Sequence, residues 1–177
     1  MATVYEVAGS PLGELLLVGE ESAGAPGGTA LASLSLPGQK GAAVVQGDWR
    51  RRPEAFREVR RQLDAYFAGE LTRFDLAFTG TGTDFQRRVW RALEELPYGR
   101  TASYGQIAAA VGTASAGVRA VGTAIGRNPL LVVRPCHRVI GADGALRGYA
   151  GGLESKARLL RLEGSLPSLT SPASPPS

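Results

Sequence analysis

The sequence predicts a mixed α/β (α+β) protein: a small N-terminal antiparallel sheet carrying one helix, then a mostly helical C-terminal domain that contains a helix-turn-helix. Three observations lead there. Short apolar runs separated by turn residues fill the first 36 positions, which is a pattern of strands. Beyond position 80 the pattern changes to amphipathic helices with clear start and stop signals. Apolar residues make up 44% and charged residues 20% of the 177, enough to bury a core and unlike a disordered chain.

Residues 4–7 and 15–18 form a hairpin pattern around the turn Ser10-Pro11-Leu12-Gly13. Residues 20–28, rich in Gly, Ala and Pro, are loop-like. A third strand is expected over 30–36, with Ala32, Leu34 and Leu36 on one face and serines between them. Residues 38–49 are ambiguous, with a short strand at 42–45 as one reading. Pro53 opens a helix whose apolar stripe is Phe56, Val59, Leu63, Tyr66 and Phe67, ending at Gly69. Arg57, Arg60 and Arg61 are read as its solvated face. Nothing in this half reads as chemistry.

Thr79-Gly80-Thr81-Gly82 is a flexible connection and sets the expected boundary: 1–80 for the N-terminal α+β domain, 81–164 for the helix-turn-helix and active-site domain. Residues 165–177, SLPSLTSPASPPS, have the composition of a disordered tail. Thr83 with Gln86 is a capping-box pattern, opening a helix with Phe85, Val89 and Leu93 inward that Pro97-Tyr98-Gly99 ends. Two short helices, 103–111 and 115–125, joined around Gly112, have helix-turn-helix spacing. In the second, Val118, Val121 and Ile125 share the inward face. Gly117, Arg119, Ala120 and Thr123 lie largely on the others, a small-residue surface that a groove could approach closely. Asn128-Pro129 stops that helix, and an apolar run at 130–133 leads directly into Pro135-Cys136-His137-Arg138. A Gly-rich loop at 141–152 carries Arg147 and Tyr149, and a last helix spans 153–163.

The single Cys excludes an intramolecular disulfide, and with one His beside it a structural zinc site is excluded too. No apolar run approaches membrane-spanning length and residues 1–20 lack the layout of a signal peptide, so a soluble cytoplasmic protein with no membrane partner is expected. The net charge of +4 is unevenly spread. Residues 1–83 hold eight basic and ten acidic groups; residues 84–177 hold twelve and six. Between Leu96 and Ala142 there is no carboxylate, yet Arg100, Arg119, Arg127, Arg134 and Arg138 lie there. A high-GC coding bias accounts for 18 Arg against 2 Lys; it does not account for the missing acids. The imbalance points to an anionic partner, nucleic acid first. An ordinary Ala-rich helix pair is the other reading of 103–125.

The only Cys and the only His are consecutive. Cys136 reads either as a buried core thiol or as a reactive one. Flanking Arg134, His137 and Arg138 favour a thiolate, Pro135 and the apolar run suggest a rigid backbone, and the Gly-rich loop could cover a small pocket. Consecutive side chains diverge, so a direct Cys–His dyad is disfavoured and a bridging water is the simpler geometry. The imidazole then needs a carboxylate on its far side. Glu163 is a candidate, continuing the Leu153, Ala157, Leu160 face of the last helix; a harmless exposed Glu at a frayed helix end is the alternative.

Pro135-Cys136-His137-Arg138-Val139 closely resembles the active-site motif of the O6-alkylguanine-DNA alkyltransferases, the methylated-DNA–protein-cysteine methyltransferases. Phe85-Gln86 with Val89-Trp90, Pro97-Tyr98-Gly99, Ser103-Tyr104-Gly105, Arg119-Ala120-Val121-Gly122, Asn128-Pro129 and Gly148-Tyr149-Ala150-Gly151-Gly152 are similar at family-like spacing, as is Ser10-Pro11-Leu12-Gly13. The resemblance covers about residues 3–164. It implies DNA repair by direct, irreversible transfer of the alkyl group from guanine O6 to Cys136, in one turnover and without cofactor or metal. His137 would act through water as the base and Glu163 would orient it. Tyr104 would help rotate the nucleotide out and meet the departing guanine, and Asn128 would brace the hinge. Arg119 would fill the gap left by the flipped base, with Ser103, Tyr104, Ala120, Gly122 and Thr123 along the minor groove of double-stranded DNA. Tyr149, Ala150, Val139, Ile125 and Lys156 would form the alkylguanine pocket. A monomer is expected, with cooperativity on DNA left open.

This sequence departs from the family pattern in three places. The link over residues 112–118 is one residue longer, Arg134 stands where an apolar residue is usual, and the Pro/Ser tail is extra. Nothing in these residues resembles the family's optional N-terminal metal-sensing module, so methyl-triggered transcriptional control is not expected. Three other readings compete: a protein that flips alkylguanine without catalysis, which in that class lacks the Cys; a helix-turn-helix regulator with a structural Cys; and a cysteine hydrolase.

Overall fold

The computed structural model describes residues 2–113 and 117–166. The tail beyond 166 and the centre of the helix-turn-helix link, 114–116, lie outside the described residues. The hairpin turn is built as its residues suggest. Gly13 donates from its N–H to the Ser10 carbonyl (2.9 Å), and the Ser10 hydroxyl donates to the Gly13 carbonyl (2.7 Å). Gly13 adopts φ +100°, a conformation open to glycine. The turn joins β1 (Thr3–Ala8) to β2 (Leu15–Glu21), and β3 (Thr29–Ser35) pairs antiparallel with β2. Two short strands, β4 (Arg50–Arg51) and β5 (Ala77–Phe78), add parallel edges to give the order β4-β1-β2-β3-β5. The strand considered at 42–45 does not form; Val44 is exposed there.

The face assigned to β3 needs correction. Pairing runs Val18 to Ser33 and then Gly19 to Leu31, so Ala32 is an extra, unpaired residue. This bulge breaks the strict alternation. Leu31 and Leu34 are both fully buried, while Ala32 is only partly so. Gly19 permits the close approach, since a Cβ there would lie 2.5 Å from the Ala30 carbonyl oxygen.

Pro53 starts a 3-10 turn, Pro53–Phe56, that continues as α1 (Arg57–Phe67). Phe56, Val59, Leu63 and Tyr66 are buried as the stripe predicts. Gly69 closes the helix at φ +77°, its N–H bonded to the Tyr66 carbonyl. Thr83 and Gln86 form the expected capping box at the start of α2 (Asp84–Glu94). Ser103 and Gln106 form a second one at α3 (Tyr104–Ala110). The recognition-type helix is α4 (Val118–Gly126), with Val121, Ala124 and Ile125 inward and Arg119, Ala120 and Thr123 exposed. β6 (Ala102–Ser103) pairs parallel with β7 (Val139–Ile140), and α5 (Leu153–Leu162) is the last element of the described chain.

The halves are stitched where the apolar run at 130–133 meets β3. Leu34 donates its N–H to the Pro129 carbonyl (2.9 Å) and accepts from Leu131 N–H (3.2 Å), a parallel bridge between Leu34 and Leu130. No helix among the described residues is long and apolar enough to cross a membrane. Leu34→Ala should lower the unfolding free energy by about 2–5 kcal/mol, because the cavity forms where both halves meet. Urea denaturation of the full chain measures this, and an unshifted midpoint would refute that role.

Candidate active site

Cys136 begins a 3-10 turn, Cys136–Arg138, six positions after the bridge of Leu130 to β3. The chain reaches that turn through Val132, the one non-glycine residue among those described with a left-handed backbone (φ +70°). A β-branched residue there is strained by about 1–3 kcal/mol, offset by burial of the run from Leu130 to Val133. Asn128 braces the same reversal from inside. Its amide nitrogen donates to the carbonyls of Leu130 (3.3 Å) and Arg134 (3.1 Å), and its oxygen accepts from Leu130 N–H (3.0 Å).

Cys136 lines a cavity of about 1010 Å³ together with Tyr104, Ile125, Asn128, Tyr149 and Ala150. Flanking cations do not make it a thiolate at rest. Burial pushes the thiol up to about 11, against the opposing pull of the Asn128 amide, Lys156 and Arg134. The cations are engaged elsewhere: Arg134 donates to Glu94 (2.9 Å), lying over the rings of Phe78 and Trp90, and Arg138 donates to Glu163.

His137 is fully buried, and its Nε2 lies 2.8 Å from Glu163 Oε2. Burial by itself would raise the Glu163 carboxyl, but hydrogen bonds from His137, Arg138 and Tyr66 outweigh it and hold the group at about 2. The carboxylate is therefore ionised, so Nε2 must carry the hydrogen. Burial also pushes the imidazole down, with Arg138 and Lys156 assisting and Glu163 opposing, which keeps it neutral. Its lone pair then sits on Nδ1, which has no hydrogen-bond partner in the protein. A neutral imidazole, oriented by a carboxylate and carrying one unsatisfied acceptor, has the chemistry of a general base.

Glu163 caps α5, and the face that continues to it is Lys156, Leu159 and Leu160; Leu153 is exposed, so the face assigned from sequence was rotated. Neither exposure nor fraying describes it: its side chain has no accessible surface. Two of its donors escaped the sequence reading. Arg138, next to the Cys-His pair, donates from Nε to Oε1 (2.7 Å) and from Nη2 to Oε2 (3.0 Å). Tyr66 of α1 donates its hydroxyl to Oε2 (2.5 Å) from 97 positions away, so the N-terminal half does carry a site residue. The only signal for it was a phenol in an apolar stripe, a polar tip that needs a partner when buried.

Tyr104, at the start of α3, lines the cavity, with Gly122 of α4 beside its ring. Burial and the neighbouring Cys136 raise its hydroxyl, which stays protonated. Ser103 caps α3. Arg119, Ala120 and Thr123 line a separate groove along α4. Val139 and Lys156, expected at the alkylguanine pocket, are not among the residues that line the cavity. Val139 is core, and Lys156 is buried beneath the loop, donating from Nζ to the carbonyls of Val139 (2.6 Å), Arg147 (2.9 Å) and Gly148 (3.4 Å). Among the described residues no cluster of His, Cys, Asp and Glu could hold a metal ion.

Comparison with known proteins bears on the family and the fold. Residues 3–79 match the ribonuclease-like domain, and residues 84–165 the DNA-binding domain, of 6-O-methylguanine DNA methyltransferase. The chain is 48% identical over 161 residues to a methylated-DNA–protein-cysteine methyltransferase of Methanosarcina acetivorans, covering 91% of this chain and 98% of that one. It is 48% identical over 159 residues to the protein of the same name in Mycolicibacterium paratuberculosis, covering 90% and 91%. The crystal structure of Mycobacterium tuberculosis OGT in complex with DNA superposes with a TM-score of 0.81 at 46% identity, covering 92% of this chain and 93% of that one.

The depressed Glu163 value has a stability consequence with a definite sign. A carboxyl lowered from 4.5 to about 2 on folding contributes stability that is present above 4.5 and lost as pH falls toward 2. Acid unfolding should fall in that window for the native chain. Glu163→Gln should flatten the dependence there while costing about 3–5 kcal/mol at neutral pH, because Arg138 loses its buried partner. An identical acid transition in both proteins would refute the assignment.

Proposed function

The chain belongs to the 6-O-methylguanine DNA methyltransferase family, and from that membership we infer that it is a methylated-DNA–protein-cysteine methyltransferase. It binds DNA and repairs O6-methylguanine by moving the methyl group irreversibly onto its own cysteine. The observation that carries this for Cys136 is its place in the cavity wall, next in the chain to a neutral His137 whose Nε2 is held by Glu163. A protein that only flips and flags the lesion would have no use for that pair.

We propose the following division of labour. A guanine O6 in the stack is out of reach, so the nucleotide must be extruded at a cost of a few kcal/mol. Arg119, exposed on α4 among Ala120, Gly122 and Thr123, is placed to occupy the space it leaves. The base enters beside Tyr104 and Tyr149. His137 Nδ1 takes the thiol proton through a bridging water, and Glu163 stabilises the imidazolium that forms. The deprotonated Sγ attacks the methyl carbon in line: the S–C bond forms as the C–O6 bond breaks. The Tyr104 hydroxyl donates to the departing guanine and is reprotonated at the expense of the imidazolium. Thioether and guanine remain, no proton is gained or lost overall, and the chain is consumed.

The resting thiol near 11 suits a protein used once: it is activated only where the base and substrate meet, and spared stray alkylation. With chromosomal DNA as substrate, the site of action in a bacterial cell is the cytoplasm.

Intact mass after mixing with a duplex carrying one O6-methylguanine tests the reading. One methyl-for-hydrogen exchange, localised to Cys136 and absent in Cys136→Ser, is expected. Tight binding without a mass change would leave a lesion-recognition protein. In single-turnover kinetics His137→Gln should slow transfer from the bound complex by about 10²–10⁴-fold, the usual worth of a general base. A rate within twofold of the native one would remove His137 from the mechanism.

A further inference from the structure

Part of the cavity wall comes from the N-terminal half, and the repair reading gives it no task. Ser33 and Ser35 of β3 and the turn that follows line the same cavity as Cys136. That turn is a built structure. Gln39 accepts at its side-chain oxygen from Leu36 N–H (2.9 Å) and donates its own N–H to the Leu36 carbonyl (3.2 Å), and Gly38 and Gly41 flank it at φ +70° and +77°. Lys40 follows Gln39. Its backbone N–H donates to the Ala150 carbonyl (3.3 Å), which ties the turn to the loop carrying Tyr149.

The charges around this wall have one sign. No Asp or Glu lines the cavity; its cations are Lys40 and Arg127. Arg127 and Gln86 also line the groove of α4 that holds Arg119, and that groove has no carboxylate either. None of Lys40, Arg119 and Arg127 takes part in an ion pair among the described residues. The contrast with the other lysine is sharp, since Lys156 is buried and spends its ammonium on carbonyls. Unpaired cations on a continuous carboxylate-free surface attract a polyanion. The phosphates flanking an extruded nucleotide have to pass the rim of the cavity that takes its base.

We propose that Lys40 is a DNA-phosphate contact that extends the Arg119–Arg127 track across the cavity, so that the N-terminal half helps to hold the damaged strand. This rests on the repair reading above. The turn sets the ammonium where a phosphate beside the extruded nucleotide meets it, and its tie to Ala150 makes the contact sensitive to the position of the alkylguanine loop.

Fluorescence anisotropy with an O6-methylguanine duplex over a range of salt tests this, in a Cys136→Ser background that prevents reaction. Loss of one phosphate contact makes the slope of log K against log salt less negative by about 0.9. Lys40→Ala should show that change and Lys40→Arg should restore it. Arg57→Ala, which removes an exposed cation that lines neither cavity nor groove, should leave the slope alone. Because the chain has only two lysines and Lys156 is buried, amine acetylation mapped peptide by peptide by mass spectrometry reads Lys40 apart from the N-terminal amine. Modification of Lys40 should fall several-fold on binding DNA. A Lys40→Ala slope equal to the parent's, with Lys40 acetylated equally in free and bound protein, overturns the proposal. A Lys40-dependent slope in a chain whose Cys136 never gains a methyl group would instead strike the repair reading and leave this contact standing.

Discussion

The buried carboxylate of Glu163 is the interaction on which the site depends. It has no accessible surface, and an ion so placed persists only when its acceptor capacity is met. The donors come from distant parts of the chain: His137 and Arg138 from the 3-10 turn, Tyr66 from α1. One carboxylate therefore locks the end of α5, the reactive turn and the helix on the N-terminal sheet together. It also sets the imidazole tautomer, because a carboxylate at Nε2 requires the hydrogen there and leaves Nδ1 as the acceptor. Stability and chemistry share one group, so a change at Glu163 cannot separate them.

A second constraint holds the thiol in place. The bridge between Leu34 and Leu130 docks the approach to Cys136 on β3, and Val132 makes the reversal in a conformation that its side chain disfavours. Asn128 satisfies the carbonyls that the reversal turns inward. Lys156 does the same for the loop above, giving its ammonium to carbonyls of β7 and residues 147 and 148. Burial lowers that lysine to about 8 while the carbonyls occupy its protons, so it acts as a clamp beneath the pocket. The N-terminal sheet is thus part of the scaffold of the reactive turn.

The arginines of the C-terminal half divide by environment. Arg134 lies over Phe78 and Trp90 and pairs with Glu94, which accounts for a cation where an apolar residue is usual: its flat guanidinium packs as an aromatic neighbour would. Arg138 serves Glu163 and the Leu96 carbonyl. Arg119 and Arg127 have no such partners among the described residues and line the groove along α4. In the sequence these four look alike, and with Arg100 they make five cations in a stretch without acids. The excess charge that signals a nucleic-acid partner is carried by only some of them.

What the sequence determined by itself was local. Capping at Thr83, the turn at Ser10, the stripe of α1 and the adjacency of Cys136 and His137 follow from residue type and spacing within a few positions, and they sufficed for the fold class and for disfavouring a direct Cys–His dyad. The tertiary structure decided what depends on separation and burial. Tyr66 meets Glu163 across 97 positions, and no periodicity announces such a contact. The bulge at Ala32 shifts which leucines face the core, because register is set by the partner strand and not by the strand alone. Flanking cations suggested a thiolate, yet the thiol is raised, since desolvation depends on what packs over Cys136 and the arginines turn to other acids. Spacing along a chain fixes direction on a helix or strand; only packing fixes which charges lose their water.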